Sequence, residues 1–320
     1  MPAPERIPSR SLTGAELVAL LTEGELTVLG QIRGASNAVL YCTVARDGEE
    51  ATCVYKPVAG EQPLWDFPDG TLAGREVAAY EISEATGWGL VPPTVLREGP
   101  YGEGMCQLWI DAVPHDDADD ADGEDDADGE DGGDSEDGGD SEDGGDSEDG
   151  GDSEDGGAGE PPLLALVEDE EPGEGWKAVA RAEVGEGRTA LLVHADDARL
   201  RRLAVLDAVI NNGDRKGGHL LPAPGGRLYG IDHGVTFNAD DKLRTLLWGW
   251  AGEPLTAEAV EVVERLGAQL APGTPLVTRL GELITEAEIE ALRGRVAGLR
   301  ATGRHPEPSG EWPSIPWPPV

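Results

Sequence analysis

Two short stretches decide how this chain folds: NNGDRKGGHLL at residues 211–221 and LYGIDHG at residues 228–234. A single Asp in a loop is usually a turn former or a helix cap, so Asp214 or Asp232 alone would predict nothing more. Here the two stand at either end of a predicted small β-hairpin, Leu220–Leu221 with Arg227–Ile231. The hairpin is therefore predicted to carry two carboxylates to one site in a helical part of the chain.

Kinase-like phosphotransferases use this layout to place one carboxylate at an acceptor hydroxyl and another on Mg²⁺. It predicts that Asp214 orients or deprotonates the acceptor and that Asp232 and His219 hold the metal. The two stretches resemble the GDRH…N…IDFG pair of the phosphatidylinositol 3-/4-kinase group. The layout is also similar to that of the HipA-type bacterial Ser/Thr kinases, and the whole chain resembles an actinobacterial conserved family, the SCO1664-like proteins. The resemblance implies an atypical kinase with ATP and Mg²⁺ as cofactors.

Two positions depart from the motifs of those kinases. His219 stands where they place an Asn that binds a second Mg²⁺, and His233 stands in place of the Phe of DFG. Imidazole ligates metals, but Mg²⁺ prefers oxygen. Asn211 or Asn212 is a candidate replacement for the missing oxygen ligand. Nucleotide binding is thus predicted more firmly than catalysis.

An upstream block predicts the order β-β-β-α-β-β. Asp47-Gly48 between two β-rich runs is a strong hairpin signal. A two-residue turn there places Val39 opposite Lys56, and Val54 falls on the same face by the period of two. Val39 and Val54 are therefore predicted to cover an adenine ring.

Lys56 ends the third strand, where a kinase-like fold needs an ammonium group for the α- and β-phosphates. Glu76, twenty residues later in the predicted helix, would fix Lys56, with Glu81 as its rival. Taken alone, Lys56 is more often a solvated strand end.

Two further segments of this block are predicted to contact the nucleotide. The Gly-rich turn that contains Ser36 and Asn37 offers backbone N–H groups and a hydroxyl to phosphate. Gln107 lies in the strand that would form the hinge between the lobes. Gly-rich turns are common, so phosphate contact and a purely structural turn both stay open.

The predicted fold is α+β: a bilobal, protein-kinase-like fold with a disordered acidic insertion. The N-lobe spans 11–113, the insertion 114–174, the mainly helical C-lobe 175–301 and a Pro/Trp-rich tail 302–320. The insertion repeats GGDSED four times from Gly132 to Asp155, and no side chain there offsets the entropy of ordering. A solvated spacer is favoured over diffuse cation binding and over a phosphorylated Ser array. The tail's Trp312 and Trp317 are predicted to dock on the folded body or to bind a partner, docking being favoured.

The chain is strongly acidic, with 64 Asp and Glu against 24 Lys and Arg among 320 residues and a net charge of −40. This charge disfavours non-specific nucleic-acid binding and adhesion to anionic lipid. No run of apolar residues is long enough to span a membrane. Cys42, Cys53 and Cys106 form no CxxC pair, which favours reduced, buried thiols in the cytoplasm.

The leading functional prediction is ATP-dependent phosphoryl transfer to an unidentified hydroxyl on a protein or small molecule. The alternative is a catalytically silent nucleotide-binding pseudokinase, or scaffold, whose acidic insertion recruits basic protein partners. A third interpretation is a structural acidic protein that binds cations through its repeats.

Overall fold

The computed structural model describes residues 12–32, 37–68, 70–113, 162–183, 188–310 and 312–319. Their helices are α1 (Gly14–Glu23), α2 (Leu72–Thr86), α3 (Ala198–Ile210), α4 (Ala257–Gln269), α5 (Pro275–Leu280) and α6 (Glu286–Thr302). Their strands are β1 (Glu25–Gln31), β2 (Leu40–Arg46), β3 (Glu49–Pro57), β4 (Thr94–Gly99), β5 (Gly102–Leu108), β6 (Leu164–Val167), β7 (Trp176–Glu183), β8 (Thr189–Ala195), β9 (Leu220–Ala223) and β10 (Arg227–Gly230). The α+β class that the sequence predicts is confirmed.

The first sheet has five antiparallel strands in the order β1-β2-β3-β5-β4. Asp47 and Gly48 have φ angles of 53° and 88°, the left-handed conformation that a tight two-residue hairpin turn requires. Leu40 then faces Tyr55, so the predicted register between these strands is confirmed. Val39 directly precedes β2 and lies one step beyond the paired residues.

One face of this sheet packs against α1. The buried residues of this cluster are Leu20, Leu21, Cys42, Val44, Cys53, Tyr55, Val95 and Cys106. All three cysteines are free and buried. Burial raises the pKa of Cys42 to about 11. The three cysteines are therefore free, buried core side chains, as predicted.

Helix α2 is buried on nearly every side, because it packs against both the five-stranded sheet and the helices that follow. Residues such as Val77 and Ile82 belong to the same core cluster as Leu203 and Leu292 of α3 and α6. At its start, the Glu61 carboxylate accepts hydrogen bonds from the backbone N–H groups of Leu72 and Ala73, at 3.1 and 2.8 Å. Such acceptors satisfy the free donors of a helix N-terminus.

The sequence predicts Asp69 or Thr71 as the N-cap of α2 and Asp196 as the N-cap of α3; the structure has Thr71 at the first and Asp197 at the second. Thr71 occupies the N-cap position of α2 but makes no capping hydrogen bond, and Asp69 lies outside the described residues. The N-cap of α3 is Asp197, whose side chain accepts from Arg199 N. The predicted cap, Asp196, instead accepts a hydrogen bond from the Trp250 indole at 2.9 Å.

A second sheet has the strand order β6-β8-β7. It lies in a region that the sequence assigned to the end of the insertion and to the start of the mainly helical C-lobe. The insertion was predicted to run to residue 174, but Leu164–Val167 form β6 and pair with β8. Acidic residues on both sides of this short apolar run obscured the strand. Within the predicted insertion, only residues 114–161 lie outside the described residues.

Residues 312–319, which we call the Trp/Pro segment, lie against the folded body, and Trp312 docks as predicted. Its ring lies over Lys242, with 3.6 Å from Nζ to the ring centroid. Trp317 does not dock in this way, since 81% of its surface is exposed. Among the described helices, none is long and apolar enough to cross a membrane.

Candidate active site

The loop that carries Asp214 begins where α3 ends. Asn211 adopts φ 55°, which terminates the helix, and Asn212 then fixes the loop through its side chain. The Asn212 amide oxygen accepts a hydrogen bond from Asp214 N at 2.9 Å. Its amide nitrogen donates to Asp207 Oδ1 at 3.0 Å. The position of Asp214 is therefore set by hydrogen bonds to α3.

A fully buried ion pair holds this loop to the helix. The Arg215 guanidinium contacts both carboxylate oxygens of Asp207 at 2.9–3.2 Å, and neither side chain is exposed. The same guanidinium donates to the carbonyl of Ile231 at 3.0 Å. Arg215 thus ties the Asp214 loop to the residue that precedes Asp232.

The Ile231–Gly234 stretch is anchored from two sides. Asp232 adopts φ 60°, a conformation that residues other than Gly rarely adopt, and such outliers concentrate at functional sites. His233 N donates to Glu76 Oε2 at 2.8 Å, and the His233 ring is 2.7 Å from Arg215 Nη2. Burial, reinforced by the Arg215 cation, holds the pKa of His233 well below its usual value. The ring is therefore neutral, and its Nε2 accepts from Arg215.

Lys56, Glu76 and Asp232 meet at a single ammonium group. Lys56 Nζ is 2.7 Å from Glu76 Oε1 and 2.9 Å from Asp232 Oδ1. The predicted rival, Glu81, instead pairs with Arg279 at 3.0 Å. Lys56 on β3 is thus held by two carboxylates, that of Glu76 from α2 and that of Asp232 from the stretch after β10.

The charges of this trio are set by their contacts and burial. Burial alone would lower the pKa of Lys56, but the Glu76 and Asp232 carboxylates outweigh it and raise the pKa. The Lys56 cation lowers the pKa of Asp232 against the opposing effect of burial. Burial raises the pKa of Glu76, while Lys56 opposes this rise. Lys56 is therefore a cation and Asp232 an anion at neutral pH.

A cavity of about 210 Å³ opens beside this trio. Among the predicted site residues, it is lined by Asn37, Lys56, Glu76, Asp214 and Asp232. The structure thus brings together five side chains that are widely separated in sequence. Asn37 also closes a loop here, since its Oδ1 accepts from Gln62 N at 2.7 Å.

The other predicted nucleotide-contacting residues do not line this cavity. Val54 lies on the same face of β3 as Lys56, and Val39 lies just before β2. Gln107 is buried opposite Val54, and its amide donates to Thr94 Oγ1 at 2.9 Å. Ser36 lies outside the described residues.

His219 adjoins the cavity through Asp232. Its Nε2 is 3.4 Å from Asp232 Oδ2, and its Nδ1 is 3.5 Å from Lys216 N, a distance at the outer limit of a hydrogen bond. Burial, partly offset by Asp232, lowers the pKa of His219, so the ring is neutral at pH 7. The pair offers a divalent cation one carboxylate and one imidazole, of which the carboxylate is the kind of ligand that Mg²⁺ prefers.

Asn211 and Asn212, the candidates for the missing oxygen ligand, do not line the cavity, and the amides of both make hydrogen bonds within the fold. Asn211 donates to the carbonyls of Asn238 and Asp240 and accepts from Lys242 N. Asn212 bridges Asp207 and Asp214 N, as described above. Across the described part of the chain, no group of three or more His, Cys, Asp or Glu side chains is arranged to hold a metal ion. The two asparagines are structural.

Sequence reasoning missed the pairing of Asp207 with Arg215 and that of Asp214 with Lys216. Lys216 Nζ lies 3.1 Å from Asp214 Oδ2. Asp207 interrupts the apolar run LAVLDAVI of α3, and a charge in such a run signals a buried partner. This signal was present in the sequence.

Comparison with known proteins places the chain in a family. No protein-family model matches it. The protein Rv2133c of Mycobacterium tuberculosis (strain ATCC 25618 / H37Rv) is 44% identical over 300 residues, which cover 94% of each chain. The chain belongs to the Rv2133c family. The site described above is thus that of an Rv2133c family member.

This member of the Rv2133c family is also similar to solved kinase structures. The Golgi casein kinase with Mn/ADP bound has a TM-score of 0.48 and 12% identity, covering 96% of this chain and 80% of that one. Hydra Fam20 with sugar gives 0.47 and 12%, covering 90% and 87%. The Helicobacter pylori proinflammatory kinase CtkA gives 0.39 and 10%, covering 89% and 94%.

Proposed function

We propose that this chain binds ATP with Mg²⁺ in the cavity beside Lys56 and transfers phosphate to an acceptor hydroxyl. One observation carries the proposal: Lys56 Nζ lies within 2.9 Å of carboxylates from both α2 and the Ile231–Gly234 stretch. An ammonium group so positioned suits phosphate oxygens, and a carboxylate next to it suits their metal. Asp214 lines the same cavity.

Each side chain then has a separate task. Lys56 holds phosphate oxygens, and Glu76 fixes Lys56 in place. Asp232 holds the metal together with the neutral ring of His219. ATP with Mg²⁺ supplies the phosphoryl group and the cationic charge that stabilises its transfer.

Asp214 acts on the acceptor. Its carboxylate orients the hydroxyl and accepts the proton that the oxygen loses as it bonds to phosphorus. Lys216 Nζ lies 3.1 Å from Asp214 Oδ2 and forms an ion pair with this carboxylate. A hydroxyl on a protein or a small molecule satisfies this chemistry.

A second candidate function is nucleotide binding without transfer. His219 favours it, because an imidazole stands where Mg²⁺ prefers an oxygen ligand. In that case the trio around Lys56 still binds the nucleotide, and the protein acts as a pseudokinase or scaffold. Its acidic insertion would recruit basic protein partners.

The three free, buried thiols suit a reducing compartment, so we propose a cytoplasmic location. We also carry forward the sequence-based lobes, 11–113 and 175–301, as its functional units.

A transfer assay with labelled ATP and Mg²⁺ tests the proposed function. We expect wild-type protein to label itself, proteins of a cell extract or a small hydroxyl acceptor. His219→Asn restores an oxygen ligand, so we expect it to preserve or raise the rate. Absence of labelling in both proteins, with ATP still bound, would favour the pseudokinase.

A further inference from the structure

The Trp/Pro segment is bound through its own backbone carbonyl groups. Ser314 O accepts from Thr245 N at 3.0 Å and from Trp248 Nε1 at 2.8 Å. Ile315 O accepts from Arg244 Nη2 at 3.2 Å, and Pro319 O accepts from Gly217 N at 2.9 Å. We call these four donors, on Gly217, Arg244, Thr245 and Trp248, the donor strip.

The donor strip and the segment have matching chemistry. Pro313, Pro316, Pro318 and Pro319 lack a backbone N–H, so half of the segment presents carbonyl groups only. Each of the contacts above runs from a donor on the folded body to a carbonyl of the segment. Proline also fixes φ, so a chain rich in proline loses little backbone entropy on binding. The strip therefore recognises backbone conformation more than side-chain identity.

Backbone hydrogen bonds connect the donor strip to the loop that carries Asp214, the carboxylate proposed to act on the acceptor. Arg215 N donates to Arg244 O at 3.0 Å, and Leu246 N donates to Arg215 O at 3.3 Å. Asp214 directly precedes Arg215, and Gly217 lies in the loop between Asp214 and His219. A chain seated on the strip consequently runs past the Asp214 loop.

Trp312 anchors the segment at the other end. Lys242 Nζ lies 3.6 Å from the centroid of the Trp312 ring and 4.6 Å from that of Trp65. Lys242 also pairs with Asp66 at 3.2 Å. Trp65 and Asp66 belong to the loop that follows β3, and Gln62 and Leu64 of this loop line the cavity. The segment thus lies against Trp65 and Gly217, which are close in sequence to the cavity-lining residues Leu64 and Asp214.

We propose that the donor strip is the acceptor-binding surface for a proline-containing polypeptide, and that the Trp/Pro segment occupies it in cis. This inference rests on the proposed function, because it names a polypeptide as the acceptor in that phosphoryl transfer. Binding of a polypeptide to the strip does not depend on ATP. The segment then lowers acceptor access until it is displaced.

Hydrogen exchange on the full chain tests the occupancy. Trp312→Ala removes the anchor, so we expect the amides of Gly217 and Thr245 to exchange at least about tenfold faster. Trp317→Ala is the matched control, because 81% of this Trp is exposed in the same segment. In the Trp317→Ala protein, the amides of Gly217 and Thr245 should exchange as fast as in the wild type. Equal exchange of the two amides in all three proteins would overturn the inference.

Binding of a labelled synthetic peptide, residues 311–320, tests the surface itself. We expect Trp312→Ala protein to bind it at least about tenfold more tightly than wild-type or Trp317→Ala protein, because the strip is vacated. Adding Trp248→Phe to Trp312→Ala deletes one donor and keeps a ring, so the affinity should fall about five- to tenfold. Equal affinity in the single and double variants would contradict recognition by the strip.

Phosphoryl transfer to the same peptide, carrying a Ser in the sequence, separates this inference from the proposed function. We expect Trp312→Ala to raise kcat/KM for the peptide severalfold with ATP affinity unchanged. Peptide binding and exchange as predicted, without transfer in any variant, would uphold the surface and refute the kinase proposal. Normal ATP-dependent labelling with no peptide binding would refute the surface alone.

Discussion

Asp214→Ala is expected to lower phosphoryl transfer by about 10²- to 10⁴-fold, the range that general base catalysis contributes. ATP affinity should stay nearly unchanged, because the carboxylate acts on the acceptor and not on the phosphates. The labelled-ATP assay measures the first effect and calorimetric titration the second. A lower rate of phosphoryl transfer with unchanged ATP affinity indicates that Asp214 stabilises the transition state and not the bound nucleotide.

Asp241→Ala is the matched control for this prediction. Asp241 is an exposed carboxylate in the stretch that follows Gly234, and it does not line the cavity. We expect it to leave the rate within a factor of about two. Equal rates in Asp214→Ala and wild-type protein would remove Asp214 from the reaction.

Asp207→Ala is expected to lower the free energy of unfolding by about 3–5 kcal/mol, the cost of leaving a buried charge without its partner. Both Asp207 and Arg215 are 0% exposed, so water cannot replace the lost carboxylate. Denaturant titration followed by tryptophan fluorescence measures the loss. Asp207→Asn should lose less, since its amide oxygen still accepts from Arg215.

Glu290→Ala provides the comparison for an exposed pair. The Glu290 side chain is 74% exposed and lies 3.0 Å from Arg293 on the neighbouring turn of α6. We expect a change of about 1 kcal/mol or less. Equal losses for Asp207→Ala and Glu290→Ala would show that the buried pair does not support the Asp214 loop.

Local patterns in the sequence sufficed for the first sheet and for the hairpin near the site. Asp47-Gly48 fixed the turn and therefore the register of β2 and β3. Alternation of faces then placed Lys56 and Val54 together. The start of α6 also carries a local sequence signal, the capping box of Thr285 and Glu288.

Long-range pairings could not be predicted in the same way. Glu288 closes its capping box and also pairs with the buried Arg75 of α2 at 2.5 Å, a contact that spans most of the chain. The strand β6 is four residues long, and its pairing with β8 depends on tertiary contacts. The segment's contacts with Gly217 and Thr245 carry no local signal, because they use backbone atoms.

Three of the predicted site residues lie close together in the structure. Lys56, Glu76 and Asp232 come together because a buried ammonium group needs carboxylates. Asn211 and Asn212 were proposed as metal ligands because their amides carry oxygen. Their amides serve the turn instead, which only the hydrogen-bond network could reveal.

Calorimetric titration with ATP and Mg²⁺ tests the central claim most directly. Lys56 and Asp232 reach the proposed nucleotide site from different parts of the fold. Lys56→Ala and Asp232→Ala are therefore each expected to weaken ATP·Mg²⁺ binding at least tenfold, about 1.4 kcal/mol. Wild-type affinity in both variants, with the chain still folded, would contradict a nucleotide site at this cavity.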